Sequence, residues 1–170
     1  MLSLIVFRHG KSDWRSDFAH DRERPLAQRG IRAARTMGEF LAAAGQVPEL
    51  ALSSPAKRAR DTLDLARRQG RWDCQVQVKD ELYEADAEQL LKFLHSFDET
   101  PRSLLLTGHE PASSELISRL IGEHSNIRFP TGAMARIDLP AESWSQLAFG
   151  LGELRWLVPP KLLTKANIEF

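Results

Sequence analysis

A short, uninterrupted apolar run near the start of the chain constrains the fold more than any other feature. Residues 4–7 read LIVF, and an apolar stretch of this length without alternation is typical of a strand buried on both faces of a parallel sheet. The run stops at Arg8, His9 and Gly10. Because ligands of parallel α/β sheets bind beyond the carboxyl ends of the strands, we expect functional chemistry where this first strand ends.

Strand-like and helix-like patterns alternate along most of the remaining chain. Residues 50–53 and 103–107 are further runs of the buried-strand type, and residues 76–78 alternate as a strand near a sheet edge does. Helical spacing separates these runs, and a second helix is predicted to open at Ser54-Pro55 with a serine N-cap and a proline at its first position. Towards the C-terminus the spacing becomes period two, which predicts antiparallel edge strands.

This alternation predicts the fold class. We expect a three-layer α/β sandwich with a mainly parallel central sheet and helices on both faces. At 170 residues the chain has the size of one ordinary domain and can bury a sizeable core. No repeat, low-complexity tract or linker interrupts the sequence, so residues 1–170 are predicted to form a single domain.

The charge balance argues against two classes of partner. Lys plus Arg and Asp plus Glu both number 23, so no bulk field would draw the chain to nucleic acid or to an anionic membrane. The single cysteine, Cys74, cannot form an internal disulfide and is interpreted as a partly buried thiol in a reducing compartment. The opening apolar run is too short for a signal peptide or a membrane span. We therefore expect a soluble cytoplasmic protein, while its oligomeric state stays open.

Chemically active side chains follow three of the predicted strands. Arg8 and His9 follow the first strand, the second leads into a helix that contains Arg58, and the third ends at Gly108 and His109. Because parallel strands present their carboxyl ends at one edge, two imidazoles and two guanidinium groups should surround one spot. A metal site is disfavoured, because it would need a third protein ligand and the arginines would repel the cation. No cofactor is expected. Surface or structural roles are expected of the remaining histidines, His20, His95 and His124.

The second of these elements breaks a rule of helix electrostatics. A helix N-terminus carries a partial positive charge and favours Asp or Glu, yet the sequence SSPAKRAR places three basic residues there. A bound anion would compensate, and phosphate held by the helix terminus, Arg58 and Arg8 is the obvious candidate. The alternative is a solvated basic patch paired with Asp61 and Asp64.

Five segments of the chain carry a family resemblance. They are RHGKSDW, DRERPLAQRG, SSPAKRARDT, TGHEP and LRWLVPPKLL, in this order. Together they resemble the histidine phosphatase superfamily, and more narrowly its short branch, the SixA-like phosphohistidine phosphatases. The resemblance spans nearly the whole chain, and the RHG, SSPxxRAxxT and GHxP motifs at these separations make it specific.

The resemblance implies a metal-independent phosphatase that works by two-step phosphoryl transfer. His9 would attack phosphorus and become transiently phosphorylated, after which water would hydrolyse the intermediate. Arg8, Arg58 and a protonated His109 would bind the transferring oxygens and stabilise their charge.

Other residues would complete the implied site. Ser12 and the Gly10 amide would add hydrogen-bond donors for the phosphoryl group. The superfamily commonly places a general acid in a Leu-x-Glu pattern after the third strand, and residues 82–84 fit that pattern with Glu84 as the acid. Glu81, a candidate for substrate binding, is a close rival, and either carboxylate could instead be solvated.

The expected substrate is phosphohistidine in a protein. The chain lacks a long insertion that could form a lid, and the polar residues 13–24 would form a mobile surface loop at the rim of an open site. The runner-up is a phosphatase for small phosphate esters. A mutase would require a free phosphorylated product to be retained under a lid. A phosphate-binding adaptor without turnover is the alternative from a different class.

Overall fold

One mixed sheet organises the chain. The structure, a computed structural model, describes residues 1–97, 101–122 and 125–170, so His124 lies outside the described residues. Within these residues the helices and strands are, in chain order, β1 Leu2–Arg8, α1 Gln28–Ala43, β2 Leu50–Ser53, α2 Lys57–Gln69, β3 Gln75–Val78, α3 Ala87–His95, β4 Ser103–Gly108, α4 Ala112–Ile121, β5 Met134–Leu139, β6 Glu153–Val158 and α5 Pro160–Lys165. Short 3-10 helices lie in the connections at Asp21–Glu23, Asp80–Leu82 and Trp144–Gln146.

The strands lie in the order β3-β2-β4-β1-β5-β6. Strands β1 to β4 are parallel, whereas β5 pairs antiparallel with both β1 and β6. The predicted α/β fold with a mainly parallel sheet is confirmed. One detail differs from the prediction, because β5 is an interior strand and only β6 of the two C-terminal strands lies at an edge.

Alternating side chains of β1 supply two hydrophobic cores. Leu4 and Val6 pack with the apolar sides of α3 and α4, and Ile5 and Phe7 pack with those of α1 and α2. Burying each of these side chains stabilises the fold by about 1.5–3 kcal/mol. Helices therefore cover both faces of the sheet. The two hydrophobic cores hold the parallel strands, and with them the strand ends that carry the site, in fixed positions.

The start of α2 differs from the prediction. The helix begins at Lys57 rather than at Pro55, and no side chain caps it. Ser54 is not an N-cap, because its Oγ accepts a hydrogen bond from the Ala56 amide at 3.3 Å and lies 2.8 Å from His109 Nε2. The Ser54 hydroxyl therefore links the end of β2 to His109 rather than capping α2.

The polar segment 13–24 is only partly the surface loop that its composition predicts. Its first part is exposed, but Ser12 and Leu26 form an antiparallel bridge that closes the segment at its base. Arg24, next to this bridge, is buried. The end of the segment therefore belongs to the wall of the site rather than to its mobile rim.

Two sequence-based expectations concern the chain outside the site. Cys74 is a free, partly buried thiol, and burial raises its pKa. In the part of the chain that the structure describes, none of the helices combines the length and the apolar character needed to cross a membrane.

Candidate active site

The structure brings the two predicted histidines together. His9 follows β1 and His109 follows β4, and these strands pair side by side with Arg8 opposite Gly108. The centroids of the two imidazole rings are 5.2 Å apart. Arg58, in the first turn of α2, is close enough for its charge to lower the pKa of both rings. The predicted convergence of three strand ends is therefore observed.

A backbone carbonyl orients His9. The residue is only 7 % exposed, and its Nδ1 lies 2.7 Å from the carbonyl oxygen of Gly10. Because a carbonyl oxygen can only accept, Nδ1 must carry the proton and donate it. The lone pair of the neutral ring is therefore on Nε2, which is the nitrogen that can attack an electrophile.

His9 is neutral at physiological pH. Burial is the main cause that lowers its pKa from 6.5 to about 4, and the positive charges of Arg58, Arg8 and Arg24 lower it further. The hydrogen bond to Gly10 acts in the opposite direction and does not offset them. A histidine nucleophile requires the neutral form, so the surroundings of His9 keep it ready to react.

The role of a protonated His109 towards bound phosphoryl oxygens stays a prediction, but the imidazole is neutral in the free protein. Burial, followed by the neighbouring His9 and Arg58, lowers its pKa from 6.5 to about 3. Its buried Nδ1 has no hydrogen-bond partner among the described residues. If the Ser54 hydroxyl donates to Nε2, the proton of the neutral ring is on Nδ1. That N–H could then donate to a phosphoryl oxygen without the ring being charged.

Both predicted arginines are held through their terminal nitrogens. Arg8 donates from Nη1 to the carbonyl oxygen of Phe129 at 2.9 Å. Arg58 is 5 % exposed and donates to Asp21 twice, at 2.8 Å to the backbone oxygen and at 2.9 Å to Oδ2. In both side chains Nε is buried and, within the described residues, unpartnered. Each guanidinium group is therefore fixed while its buried Nε donor remains unused.

Two other basic residues of α2 fit the alternative hypothesis of a solvated basic patch. Lys57 forms an exposed pair with Asp61 at 2.8 Å, and Arg68 forms one with Asp64 at 3.0 Å. Arg58 alone turns inward and pairs with a different segment of the chain. The basic start of α2 therefore combines one buried site residue with an ordinary solvated surface.

Arg24 is a third arginine of the site, and the sequence analysis missed it. The residue is 7 % exposed, with the guanidinium carbon 3.6 Å from the centroid of the Trp14 ring. It donates to Ser12 Oγ and pairs with Asp21 at 3.1 Å. Its Nε also lacks a partner in the described part of the chain, and its charge lowers the pKa of both imidazoles. No local signal in the sequence marks Arg24, because its burial depends on contacts with Ser12, Trp14 and Asp21.

Asp21 is the counter-ion of this arginine cluster. Partial burial tends to raise its pKa, but hydrogen bonds from Tyr83, Arg24 and Arg58 outweigh that effect and lower the pKa to about 2. The carboxylate is therefore ionised at neutral pH and cannot act as a general acid. Asp21 pairs with Arg24 and Arg58, and Arg8 has Glu110 as its nearby carboxylate. Two carboxylates therefore face three arginines, and the site keeps an excess of positive charge.

Two predicted phosphate donors have other partners. The Gly10 amide donates to Thr62 Oγ1 at 2.9 Å, so it is not free to bind a phosphoryl group, contrary to the prediction. A Cβ atom at Gly10 would lie 2.8 Å from the carbonyl oxygen of Gly30, which shows how closely this turn packs on α1. The buried Ser12 hydroxyl accepts from Arg24 and thereby positions that side chain.

Of the two predicted candidates for the general acid, only Glu84 reaches the region of His109. Glu84 is exposed and lines a small apolar cavity together with His109, whereas Glu81 is exposed and does not line that cavity. Tyr83 also lies beside His109, with its ring centroid 5.8 Å from that of His109 and its hydroxyl donating to Asp21 Oδ2 at 2.9 Å. The acid role of Glu84 stays a prediction.

The donors of the site are arranged for an oxyanion. Nε atoms of three arginines and Nδ1 of His109 are buried without partners in the described residues, and His9 supplies the neutral imidazole. Guanidinium groups bind the oxygens of phosphoryl groups through charge-assisted hydrogen bonds. No group of three or more His, Cys, Asp or Glu side chains within the described residues could hold a metal ion.

Comparison with known proteins identifies the family. The sequence profile of the histidine phosphatase superfamily (branch 1) matches residues 4–92, about half of the chain. An uncharacterized protein of Mycobacterium leprae is 30 % identical over 158 residues, which cover 86 % of this chain and 95 % of that protein. The chain belongs to the histidine phosphatase superfamily.

Solved structures narrow the relationship of this histidine phosphatase. The protein histidine phosphatase SixA, complexed with tungstate, is 27 % identical with a TM-score of 0.81, covering 95 % of this chain and 99 % of that one. A candidate phosphohistidine phosphatase SixA from Agrobacterium tumefaciens is 26 % identical with a TM-score of 0.78, covering 94 % and 98 %. The alpha-ribazole phosphatase of Shigella flexneri shares the fold at 19 % identity, with a TM-score of 0.71 and coverage of 94 % and 97 %. The predicted SixA-like branch is confirmed.

The lowered pKa of His9 predicts that this phosphatase loses stability in acid. The pKa is 6.5 for an ordinary histidine and about 4 in the folded protein, so between these values the unfolded chain binds more protons. The free energy of unfolding therefore decreases as the pH falls through this range. His9→Asn should remove up to about 3 kcal/mol of the loss between about pH 7 and pH 4. Urea unfolding of both proteins at both pH values measures the difference, and an equal loss in the two would contradict the assignment.

Proposed function

We propose that this histidine phosphatase removes phosphate from phosphohistidine in proteins, with His9 as the nucleophile. The observation that carries the chemistry is the state of His9, a buried and neutral imidazole whose Nδ1 is fixed by the Gly10 carbonyl. Its reactive Nε2 belongs to a site with unused donors on Arg8, Arg24 and Arg58. This arrangement supports attack on a phosphoryl group rather than its mere binding.

In the first step, the lone pair of His9 Nε2 forms a bond to phosphorus. The bond between phosphorus and the substrate nitrogen breaks, and its electron pair stays on the leaving imidazole, which takes up a proton from the surrounding water. The new positive charge on the His9 ring is stabilised by the hydrogen bond from Nδ1 to the Gly10 carbonyl. An imidazole is a better leaving group than an alkoxide, so this step makes little demand on Glu84 as an acid.

In the second step, water attacks the phosphorylated His9. A bond forms between the water oxygen and phosphorus, the bond from phosphorus to Nε2 breaks, and the electron pair returns to the ring. The protons of the water leave with the phosphate product. Splitting the displacement into two steps makes each of them easier than a single direct hydrolysis.

The arginines and His109 stabilise the charge that develops on the transferring oxygens. Because they are fixed before the substrate arrives, they need little reorganisation in the transition state. Asp21 has a supporting role, since it holds Arg58 at 2.9 Å and Arg24 at 3.1 Å. We assign Ser12 the same kind of role towards Arg24.

The surroundings of the site support a protein substrate. Connections that leave the carboxyl edge after β2, β3 and β4 are short, at residues 54–56, 79–86 and 109–111, so none of them forms a lid. The longer connection after β1 carries Trp14, which is 65 % exposed. The Trp14 ring packs edge-on against the Phe18 ring, with the two ring centroids 6.3 Å apart. Exposed aromatic side chains beside a site are common anchors in protein recognition. The free thiol of Cys74 supports the proposal of a reducing, cytoplasmic location.

Phe18→Ala should impair the protein substrate selectively. Phe18 packs on Trp14 and is not among the residues that bind Arg24, so its loss should leave the phosphoryl site intact. We expect KM for a phosphohistidine protein to rise by about tenfold, as for a modest interface anchor, while phosphoimidazole hydrolysis stays the same. Trp14→Ala is the informative comparison, because it also removes the ring that stacks on Arg24 and should slow both substrates.

Measuring kcat/KM of the wild type for different classes of substrate tests the proposed function itself. The wild type should have a much higher kcat/KM for the phosphohistidine protein than for sugar phosphates. A preference for a small phosphate ester would favour the alternative, a small-molecule phosphatase, as the shared fold with alpha-ribazole phosphatase allows. Binding of phosphate without turnover of either substrate would favour an adaptor.

A further inference from the structure

A small cavity opens beside the phosphoryl site, on the side of the sheet that α3 and α4 cover. Its volume is about 150 Å³. Its walls are mostly aliphatic and include Val6, Leu82, Ala85, Leu90, Leu106 and Leu116. Gly108 borders open space, because a Cβ atom added there would meet only Ser113 Oγ, at 3.8 Å, within 4 Å. The cavity is therefore an apolar recess with room for a small group.

The cavity and the phosphoryl site share one wall. His109 lines the cavity, and its ring centroid is 5.2 Å from that of His9. A phosphoryl group bound by both histidines and a group inside the cavity would therefore contact the same imidazole. A substrate group that enters the cavity would therefore lie close to the phosphorylated residue of that substrate.

The chemistry of the cavity selects the kind of occupant. Two carboxylates border it, the exposed Glu84 and Glu110, which is held by the Ser114 amide at 2.8 Å. The hydroxyl groups of a sugar phosphate would lose hydrogen bonds to water against the aliphatic walls, and a second phosphate would be repelled by the carboxylates. An aliphatic side chain has no hydrogen bonds to water to lose in the cavity. A basic residue next to it in the substrate would be attracted by the two carboxylates rather than repelled. The volume also fits, since an engineered apolar cavity of about 150 Å³ accepts benzene.

We propose that this cavity receives a leucine-sized aliphatic side chain of the substrate protein, close to its phosphohistidine. The inference rests on the proposed function and adds to it a sequence preference around the phosphorylated residue. Burial of such a side chain should raise kcat/KM by about tenfold or more, because transferring it from water to an apolar site is favourable.

Peptides that contain one phosphohistidine test the preference. In one series a leucine occupies each flanking position in turn, and in the matched series an aspartate does. The wild type should hydrolyse one leucine peptide about tenfold faster in kcat/KM than its aspartate counterpart, and phosphoimidazole gives the rate without any side chain. Equal rates at every position would overturn the inference alone. Failure to hydrolyse any phosphohistidine peptide would overturn the proposed function as well.

A variant that fills the cavity locates the effect. Ala85→Phe should abolish the leucine preference while phosphoimidazole hydrolysis changes by less than about twofold. Ala43→Phe adds the same side chain at an exposed position of α1 and should keep the preference. An Ala85→Phe enzyme that retains the leucine preference, or that loses peptide and phosphoimidazole activity equally, would contradict a docking role for the cavity. Leu90→Ala, which enlarges the cavity, should shift the preference from leucine towards phenylalanine, and an unchanged preference would argue against it.

Discussion

His9→Ala is expected to abolish turnover of every phosphorylated substrate and to leave the fold intact. The variant removes the only group to which we assign bond formation with phosphorus, so kcat should fall by at least about 10⁴-fold, as for other nucleophile deletions. His9 lies where β1 ends, beside Gly10, and not within either hydrophobic core. Loss of its ring therefore opens space at the site rather than in the core, and circular dichroism should be unchanged.

An exposed histidine provides the control. His20 lies in the surface part of the segment after β1, so His20→Ala should retain turnover close to that of the wild type. Near-normal activity of His9→Ala would mean that phosphorus is attacked by another group. The two variants differ only in which histidine is lost, so a general effect of the substitution cannot explain a contrast between them.

Arg58→Ala should show the second-largest effect. Its guanidinium group is buried, held by Asp21 and close to both imidazoles, so it is preorganised for the charge of the transition state. Removing such a donor should cost about 3–4 kcal/mol, or about 10²–10³-fold in kcat/KM. Arg67→Ala on the same helix is the control, because Arg67 is partly exposed and its ion pair with Asp64 is long, at 3.9 Å. Equal, small effects of the two substitutions on kcat/KM would contradict a catalytic role of Arg58. They would support the alternative, in which α2 is only a solvated basic helix.

A double variant separates two explanations of a large effect at Arg58. Arg58→Ala leaves the Asp21 carboxylate with only Arg24 and Tyr83 as partners, and its less neutralised charge could itself repel the phosphoryl group. If Arg58 acts on the substrate, adding Asp21→Ala should recover little of the lost activity. If Arg58 serves mainly to neutralise Asp21, the double variant should regain most of it.

The sequence predicted the parts of the site that local patterns specify. The apolar run of residues 4–7 and the run of residues 103–107 identify buried strands, and His9 and His109 follow them directly. The convergence of these residues then follows from the geometry of a parallel sheet. Arg58 was found because a basic residue at a helix start is locally unfavourable.

Residues whose roles depend on contacts between distant segments were harder to predict. Asp21 and Arg24 occur in a polar stretch without periodicity, and nothing local distinguishes a solvated charge from a buried one. Arg24 is buried because Ser12, Trp14 and Asp21 surround it. These contacts exist only after the segment has folded back onto the end of β1.

Protonation states also depend on the assembled structure. Burial, together with the neighbouring His9 and Arg58, lowers the pKa of His109 to about 3, and the local sequence shows none of these surroundings. The N-cap that the sequence predicts at Ser54 is not formed, for a related reason. Its hydroxyl hydrogen-bonds to His109 across two strand ends instead of capping α2.

Identification of the phosphorylated residue tests the central claim most directly. A phosphohistidine substrate labelled on phosphorus is mixed with the wild type, and the reaction is quenched in mid-turnover. We expect acid-labile, alkali-stable phosphate on His9, and no label in His9→Ala. Label on a serine, on His109 or on no residue during rapid turnover would contradict a His9 nucleophile.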